Sequence, residues 1–317
     1  MTRIKKTMAQ KVDAYVKSKR GLGCKFKGAE MSLKKFARFA DYHYPGKPLT
    51  IQLAVEWVAT TPHLKSTTKL GRYSDLRGLA QYLKLDDSKT ELIPKNIYTS
   101  WFRRMTPYIY TDREISLLMN TDPEKPQGEF DTLTRKTIFG LLVSTGMRIQ
   151  EVLDLKKKDV NLKKGIIAVR QFKKVPLRLL PVSDSVLEKL EEYARRRDGL
   201  QVRGKDDTFF LNSKGKFVKY VSFQQTWKRV TVAAGLSDGK VFPRLHDLRH
   251  TFACNHLLRA YRENQNIDDA IYTLSIYLGH TVIGGTYWYL SATAELLEEC
   301  IKRVEKSLCK FRKGGRS

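Results

Sequence analysis

The sequence predicts a mainly α-helical chain of two domains carrying one small β-hairpin. Apolar residues recur at three-to-four spacing through most of the chain, and a single stretch follows strand periodicity instead. A length of 317 residues with 41% hydrophobic content is enough for two packed cores.

The elements follow in order. From Lys5 to about Leu85, Leu33, Phe36 and Ala40, then Ile51, Ala54, Trp57 and Val58, mark the buried faces of several short helices. Pro45 and Gly46 separate the second from the third, and Ser66 with Thr67 and Thr68 reads as the N-cap of a basic helix through Arg72, Arg77 and Lys84. That helix suits contact with phosphates; a solvated helix face has the same pattern. Residues 1–88 thus form a helical domain. Over residues 89–110 the hydrophobic period fades, Pro94 and Pro107 interrupt it, and Lys95, Arg103 and Arg104 keep it basic, as expected of a linker.

Thr111 and Asp112 open a second domain, 111–308, ahead of Ile115, Leu117 and Leu118. Leu133 to Ser144 reads as a buried helix ending at Thr145 and Gly146, and Ile149 to Leu155 as another, with Arg148 at the junction. In Gly165 to Val182, Ile166, Ile167 and Val169, then Leu179, Leu180 and Val182, predict two strands joined around Lys173 to Pro176. Helices resume at Ser222, including a stripe of Ile267, Ile271, Leu274 and Leu278 before Gly279. Ala292, Leu296, Ile301, Val304 and Leu308 trace a final stripe that must bury against its own domain or a neighbouring copy. Residues 309–317 form a basic tail, disordered or in contact with DNA, and the chain shows no internal repeat.

Charge narrows the function. The chain carries 59 Lys and Arg against 33 Asp and Glu, a net charge of +26 and a pI near 9.9. Such an excess implies a polyanionic partner, nucleic acid first, because each cation that neutralises a phosphate releases a counterion. The charged N-terminus excludes a signal peptide, and no apolar run reaches membrane-spanning length, so a soluble cytoplasmic protein is expected. Cys24, Cys254, Cys300 and Cys309 are scattered and suggest neither a disulfide framework nor a zinc site.

Three segments of the second domain could carry chemistry: Thr145-Gly146-Met147-Arg148-Ile149-Gln150-Glu151, His246-Asp247-Leu248-Arg249-His250, and Leu278-Gly279-His280 followed by Tyr287 and Tyr289. Singly, each reads as structure: an Arg–Glu pair, a solvated helix face, a packed tyrosine. Together, in this order and in a basic chain, they resemble the signature of the tyrosine recombinases, or phage integrases. The matching pieces are an arginine in a Thr-Gly-x-Arg-x-x-Glu turn, a hairpin lysine, a His-x-x-Arg box, a Leu-Gly-His box and a tyrosine nine residues later. The resemblance covers the whole second domain.

It implies a fold: an N-terminal SAM-like core-binding domain and a catalytic domain of the DNA breaking-rejoining fold, closing as a C-shaped clamp on duplex DNA. It implies a reaction: cleavage and rejoining of specific sites through a 3′-phosphotyrosyl intermediate, for integration, excision or transposition of a mobile element. It implies partners: specific double-stranded sites and a tetramer on two duplexes, with room for accessory DNA-bending proteins, in the nucleoid. A type IB topoisomerase, or a DNA-binding protein with vestigial catalytic residues, are the competing readings.

The chemistry needs these residue types. Charge builds on the nonbridging oxygens of an attacked phosphodiester, and guanidinium forks bind phosphate bidentately at any working pH, so Arg148 and Arg249 are the expected clamp. A tyrosine with a pKa near 10 needs a proton acceptor, and His246 is the expected one. The resembling family protonates the departing 5′ oxygen from the hairpin lysine. Counting back five residues from Arg178, as in that family, selects Lys173; Lys174 stays open, because adjacent strand residues face opposite sides. His280 would hydrogen-bond the phosphate, and Glu151 would buttress the active-site arginine or histidine. Residues two apart on a helix point about 200° apart, so only one of Tyr287 and Tyr289 can aim at the phosphate, and the interval from His280 selects Tyr289. No Ser-His-Asp set, phosphate-binding glycine loop or carboxylate cluster competes, and neither metal nor nucleotide cofactor is expected.

Overall fold

In the computed structural model the chain divides into two compact units, Met1–Met105 and Thr106–Ser317. The structure describes residues 6–24, 26–96, 106–123, 128–170, 177–202, 206–237, 243–280, 282–291 and 293–314, with backbone alone for Ser291 and 306–314.

Among its described residues the first unit is a four-helix cluster: α1 (Met8–Gly21), α2 (Lys27–His43), α3 (Ile51–Ala59) and α4 (Ser66–Leu83). Thr7 and Thr50 cap α1 and α3 by accepting from Gln10 and Leu53 backbone amides. Helix α4 differs from expectation. Ser66 is its first helical residue, and the cap position falls on Lys65, which makes no side-chain cap bond. Of the expected stripe, Leu33, Phe36, Ala40, Ala54, Trp57 and Val58 are buried and Ile51 is half-buried; Val12, Leu76, Leu79 and Ala80 complete the core. Arg72 of α4 donates to the Thr61 hydroxyl at 2.7 Å and lies over the Trp57 ring, and the Lys84 ammonium bonds the Ser88 carbonyl at 2.6 Å. Both cations are therefore tied to their own unit.

The segment 89–110, expected as a linker, is packed at both ends: Thr90 and Ile93 are buried in the first unit, and Tyr108 and Tyr110 pack in the second. There, Tyr110 N–H donates to the Thr251 hydroxyl at 3.0 Å.

The second unit begins with α5 (Asp112–Asn120), held by a capping box between Thr111 and Glu114. Then come α6 (Glu129–Thr145) and α7 (Ile149–Leu153), the strands β1 (Val160–Asn161), β2 (Ile166–Val169) and β3 (Arg178–Pro181), α8 (Asp184–Asp198) and α9 (Tyr220–Ala233). The last elements are α10 (Leu245–Arg262), α11 (Ile267–Leu278), α12 (Gly284–Tyr287), a 3₁₀ turn at Trp288–Ser291, and α13 (Ala294–Gly314). Strand β1 adds a third strand to the expected hairpin, in antiparallel order β1-β2-β3. Ile167 pairs with Leu180 and Val169 with Arg178, so the period-two alternation turns Arg178 inward beside Val169 and Leu180. The stretch expected to join the strands, with Lys173 and Lys174, lies outside the described residues.

Helix α13 continues to Gly314, through most of the segment expected as a tail. Of its expected stripe, Leu296 is buried, whereas Ile301 and Val304 are exposed together with Leu297. Ala292 and the Leu308 side chain lie outside the described residues.

Gly146, where α6 stops, adopts φ 59°, and a Cβ there would sit 2.6 Å from Phe252 Cδ1. Glycine is required both by the left-handed backbone and by the close approach. Gly146→Ala is expected to destabilise the chain by about 2–4 kcal/mol in denaturant unfolding. Gly128→Ala, at a helix start with open space around it, should cost less than about 1 kcal/mol.

Candidate active site

The site is laid out along the first turns of α10. Asp247 sets that helix start: its carboxylate accepts from the Arg244 backbone N–H at 2.8 Å and from the Arg244 guanidinium at 2.7 Å. His246, Arg249 and His250, at i, i+3 and i+4, then share one face.

Arg249 is 2% exposed. Its Nη1 donates to the Gly146 carbonyl at 2.9 Å and its Nη2 to the Leu278 carbonyl at 2.6 Å. Both acceptors lie where helices stop, α6 at Gly146 and α11 at Leu278, where the last carbonyls have no intrahelical partner. One buried cation thereby satisfies two helix ends.

Arg178 enters the same knot from β3. Its Nη1 donates to that same Leu278 carbonyl at 2.7 Å and its Nη2 to Glu151 at 2.9 Å, while its Nε, also buried, has no partner among the described residues. Glu151, in the first turn of α7, accepts from the Arg148 guanidinium at 2.8 Å and from the Arg148 backbone N–H at 3.0 Å. Arg148 keeps 40% of its side chain exposed, so a ligand can reach it. One carboxylate thus orders two arginines and caps a helix.

Gly279, in the left-handed conformation, turns the chain after α11 and delivers His280, whose Nδ1 lies 2.7 Å from the Thr286 hydroxyl. The His280 ring stacks on Tyr289 with centroids 6.3 Å apart. Tyr289, on the 3₁₀ turn, is 3% exposed; Tyr287 is 44% exposed and its hydroxyl donates to Asp268. Trp288 packs edge-on against His250 at 5.3 Å.

Electrostatics follow from this geometry. Burial, then the Arg148 charge, pull Arg249 down to about 10, still protonated at neutral pH. Burial raises the Tyr289 phenol above its ordinary value, and the Arg249 charge and hydrogen bond oppose that rise. Burial and then Arg249, Arg148 and Arg178 pull His280 down to about 4; burial and then His246 bring His250 to about 4. His246 opens to solvent, yet partial desolvation, followed by Arg249 and Arg148, lowers its pKa. Burial pushes Glu151 up, but Arg178 and Arg148 outweigh it and hold the carboxyl below its usual range. The imidazoles are therefore neutral and the guanidiniums charged at pH 7, an arrangement able to hold a phosphate and present a phenol to it.

The structure brings Arg148, Glu151, His246, Arg249, His280 and Tyr289 into one neighbourhood, whereas Lys173 and Lys174 are outside the described residues. Sequence reasoning gave no role to Arg178, His250 or Thr286. Arg178 had a usable signal: in a strand alternating with Leu179 and Leu180, an arginine in phase with an inward leucine is anomalous. Among the described residues no group of three metal-ligating side chains occurs, and no helix is long and apolar enough to cross a membrane.

Comparison with known proteins identifies the family. Residues 109–295 match the phage integrase family. The chain is 30% identical over 305 residues to y4rE of Sinorhizobium fredii, named as an integrase/recombinase, covering 96% of this chain and 98% of that protein. It is also 30% identical over 200 residues to tyrosine recombinase XerA of Pyrococcus furiosus, 62% of each chain. Its fold is similar to that of the XerH site-specific recombinase bound to palindromic difH substrate in a post-cleavage complex (TM-score 0.67, 21% identity, 94% of this chain and 85% of that one). The Tn1549 transposon integrase in complex with transposon right end DNA is also similar (TM-score 0.65, 17% identity, 93% and 98%). The chain belongs to the phage integrase family and is a site-specific tyrosine recombinase.

Proposed function

We propose that the chain cleaves and rejoins specific sites in duplex DNA through a 3′-phosphotyrosyl bond to Tyr289, in the movement of a mobile element. The observation that carries this reading is the Tyr289 phenol held against the buried Arg249 guanidinium, with Arg148 exposed beside them. A phosphodiester entering there meets two forks that neutralise its nonbridging oxygens as charge develops. Solvent-facing His246 takes the phenolic proton, and His280 adds a hydrogen bond to the phosphate. Glu151 orders Arg148. A hairpin lysine, Lys173 with Lys174 as the alternative, protonates the departing 5′ oxygen. The energy of the broken bond stays in the phosphotyrosine, so rejoining draws on no nucleotide.

Two copies on each of two duplexes make the working assembly. The exposed Leu297, Ile301 and Val304 of α13 supply an apolar stripe for a neighbouring copy to cover, which supports this assignment. The chain's excess of basic residues supports DNA as the partner.

Nicked suicide duplexes carrying the ends of the mobile element that encodes the chain are the direct test. The wild-type chain is expected to form a denaturation-resistant adduct that Tyr289→Phe lacks; joining between duplexes marks recombination, and site-independent plasmid relaxation would contradict it. Arg249→Lys should slow adduct formation at least about 100-fold, because an ammonium cannot serve two carbonyls and a phosphate together. With its pKa lowered below the ordinary 6.5, His246 is still mostly neutral at pH 6.5. The rate should therefore keep more than half of its plateau at pH 6.5, with the acid limb centred below that, and a limb centred at or above 6.5 would count against His246 as acceptor.

A further inference from the structure

His250 has no place in the chemistry above, yet it sits at its centre. Its ring meets His246 edge-on at 4.8 Å, Trp288 at 5.3 Å and Tyr289 at 5.5 Å. Trp288 and Tyr289 also pack on each other at 5.4 Å, so the His250 ring touches both side chains at the start of the turn that carries the phenol. That turn rests on α10, the helix that holds Arg249. The imidazole therefore packs against the tyrosine from the same helix that carries Arg249.

One of its two ring nitrogens is idle. The buried Nδ1 has no hydrogen-bond partner among the described residues. Buried polar atoms without partners cost about 1–3 kcal/mol and are uncommon in native structures. The groups facing the ring are His246, Asp247 and Arg249 of its own helix, Arg244 at the cap before it, and the rings of Trp288 and Tyr289 on the turn. A cation there would meet more positive than negative charge.

Resting on Tyr289 as the nucleophile, we propose that His250 is a positioning residue: its ring is the seat that sets the height of the Trp288–Tyr289 turn, and so of the phenolic oxygen, above the phosphate. The role belongs to ring shape rather than to the imidazole nitrogens. His250→Phe, which keeps a flat ring and deletes the unpartnered nitrogen, preserves the seat. His250→Ala removes it and lets the turn sink toward α10. Displacement of a reacting atom by about 1 Å costs about 100-fold in rate.

The experiment measures DNA affinity and single-turnover adduct formation on nicked duplexes, using an ordinary scissile phosphate and one with sulfur in place of the departing 5′ oxygen, which leaves without a proton. His250→Ala is expected to bind DNA within about twofold of wild type and form adduct about 10- to 100-fold more slowly on both substrates, since the attack and not the departure is impaired. His250→Phe should recover the rate to within about threefold, with thermal stability no lower than wild type.

Wild-type speed in His250→Ala, rescue of that variant by the sulfur substrate, or a His250→Phe variant as slow as His250→Ala would each overturn the proposal. So would a loss of DNA binding in parallel with rate, which marks a general structural defect. If wild type itself forms no adduct dependent on Tyr289, the functional reading fails and this inference falls with it; if it does and His250→Ala matches it, only the inference fails.

Discussion

The carbonyl oxygen of Leu278 accepts from two guanidiniums, Arg249 of α10 and Arg178 of β3. A carbonyl has two lone pairs, and at a helix end neither is taken by the helix itself. By spending both on arginines it ties a strand and two helices to one point. His280 follows two residues later, after the left-handed Gly279. Around this point, Gly146 anchors Arg249 from the end of α6 and Glu151 anchors Arg178 from α7. Each part of the site from distant stretches of sequence is thereby registered against the same atom.

The arrangement is electrically costly, which explains its composition. Arg148, Arg178 and Arg249 lie near enough to depress one another's or a neighbour's pKa, and Glu151 is the carboxylate paired with two of them. Neutral acceptors, the carbonyls of Gly146 and Leu278, carry the rest of the burden without cancelling the charge. Replacing them with acids would relieve the repulsion and remove the attraction for phosphate with it. Burial that holds the histidines uncharged acts in the same sense, since each imidazolium would add to the excess.

Much of this was legible in the chain. The interruption at Thr145-Gly146, the stripe before Gly279 and the i, i+3 spacing of His246 and Arg249 are local signals, and local signals set where helices stop and which side chains share a face. What sequence could not supply was long-range. Arg178 bonds a carbonyl one hundred residues away, and nothing near it announces Leu278. Strand β1 is two residues long and exists by pairing with β2. The N-cap of α4 was misread because Ser66 to Thr68 offers several hydroxyls, and the backbone enters the helix before any of them. His250 was visible as part of a box, but its ring contacts with Trp288 and Tyr289 come from packing the 3₁₀ turn on α10.

Stored repulsion has a thermodynamic counterpart. An anion that enters among Arg148, Arg178 and Arg249 binds the folded chain, since the unfolded chain does not hold those residues together. Occupancy and folding are then linked, and an anion at a hundredfold excess over its dissociation constant adds about 2.7 kcal/mol to stability. With the site empty, Glu151 offsets part of the charge of Arg148 and Arg178, and a phosphate would offset more of it. A bound phosphate would therefore leave the catalytic unit more stable than the empty one.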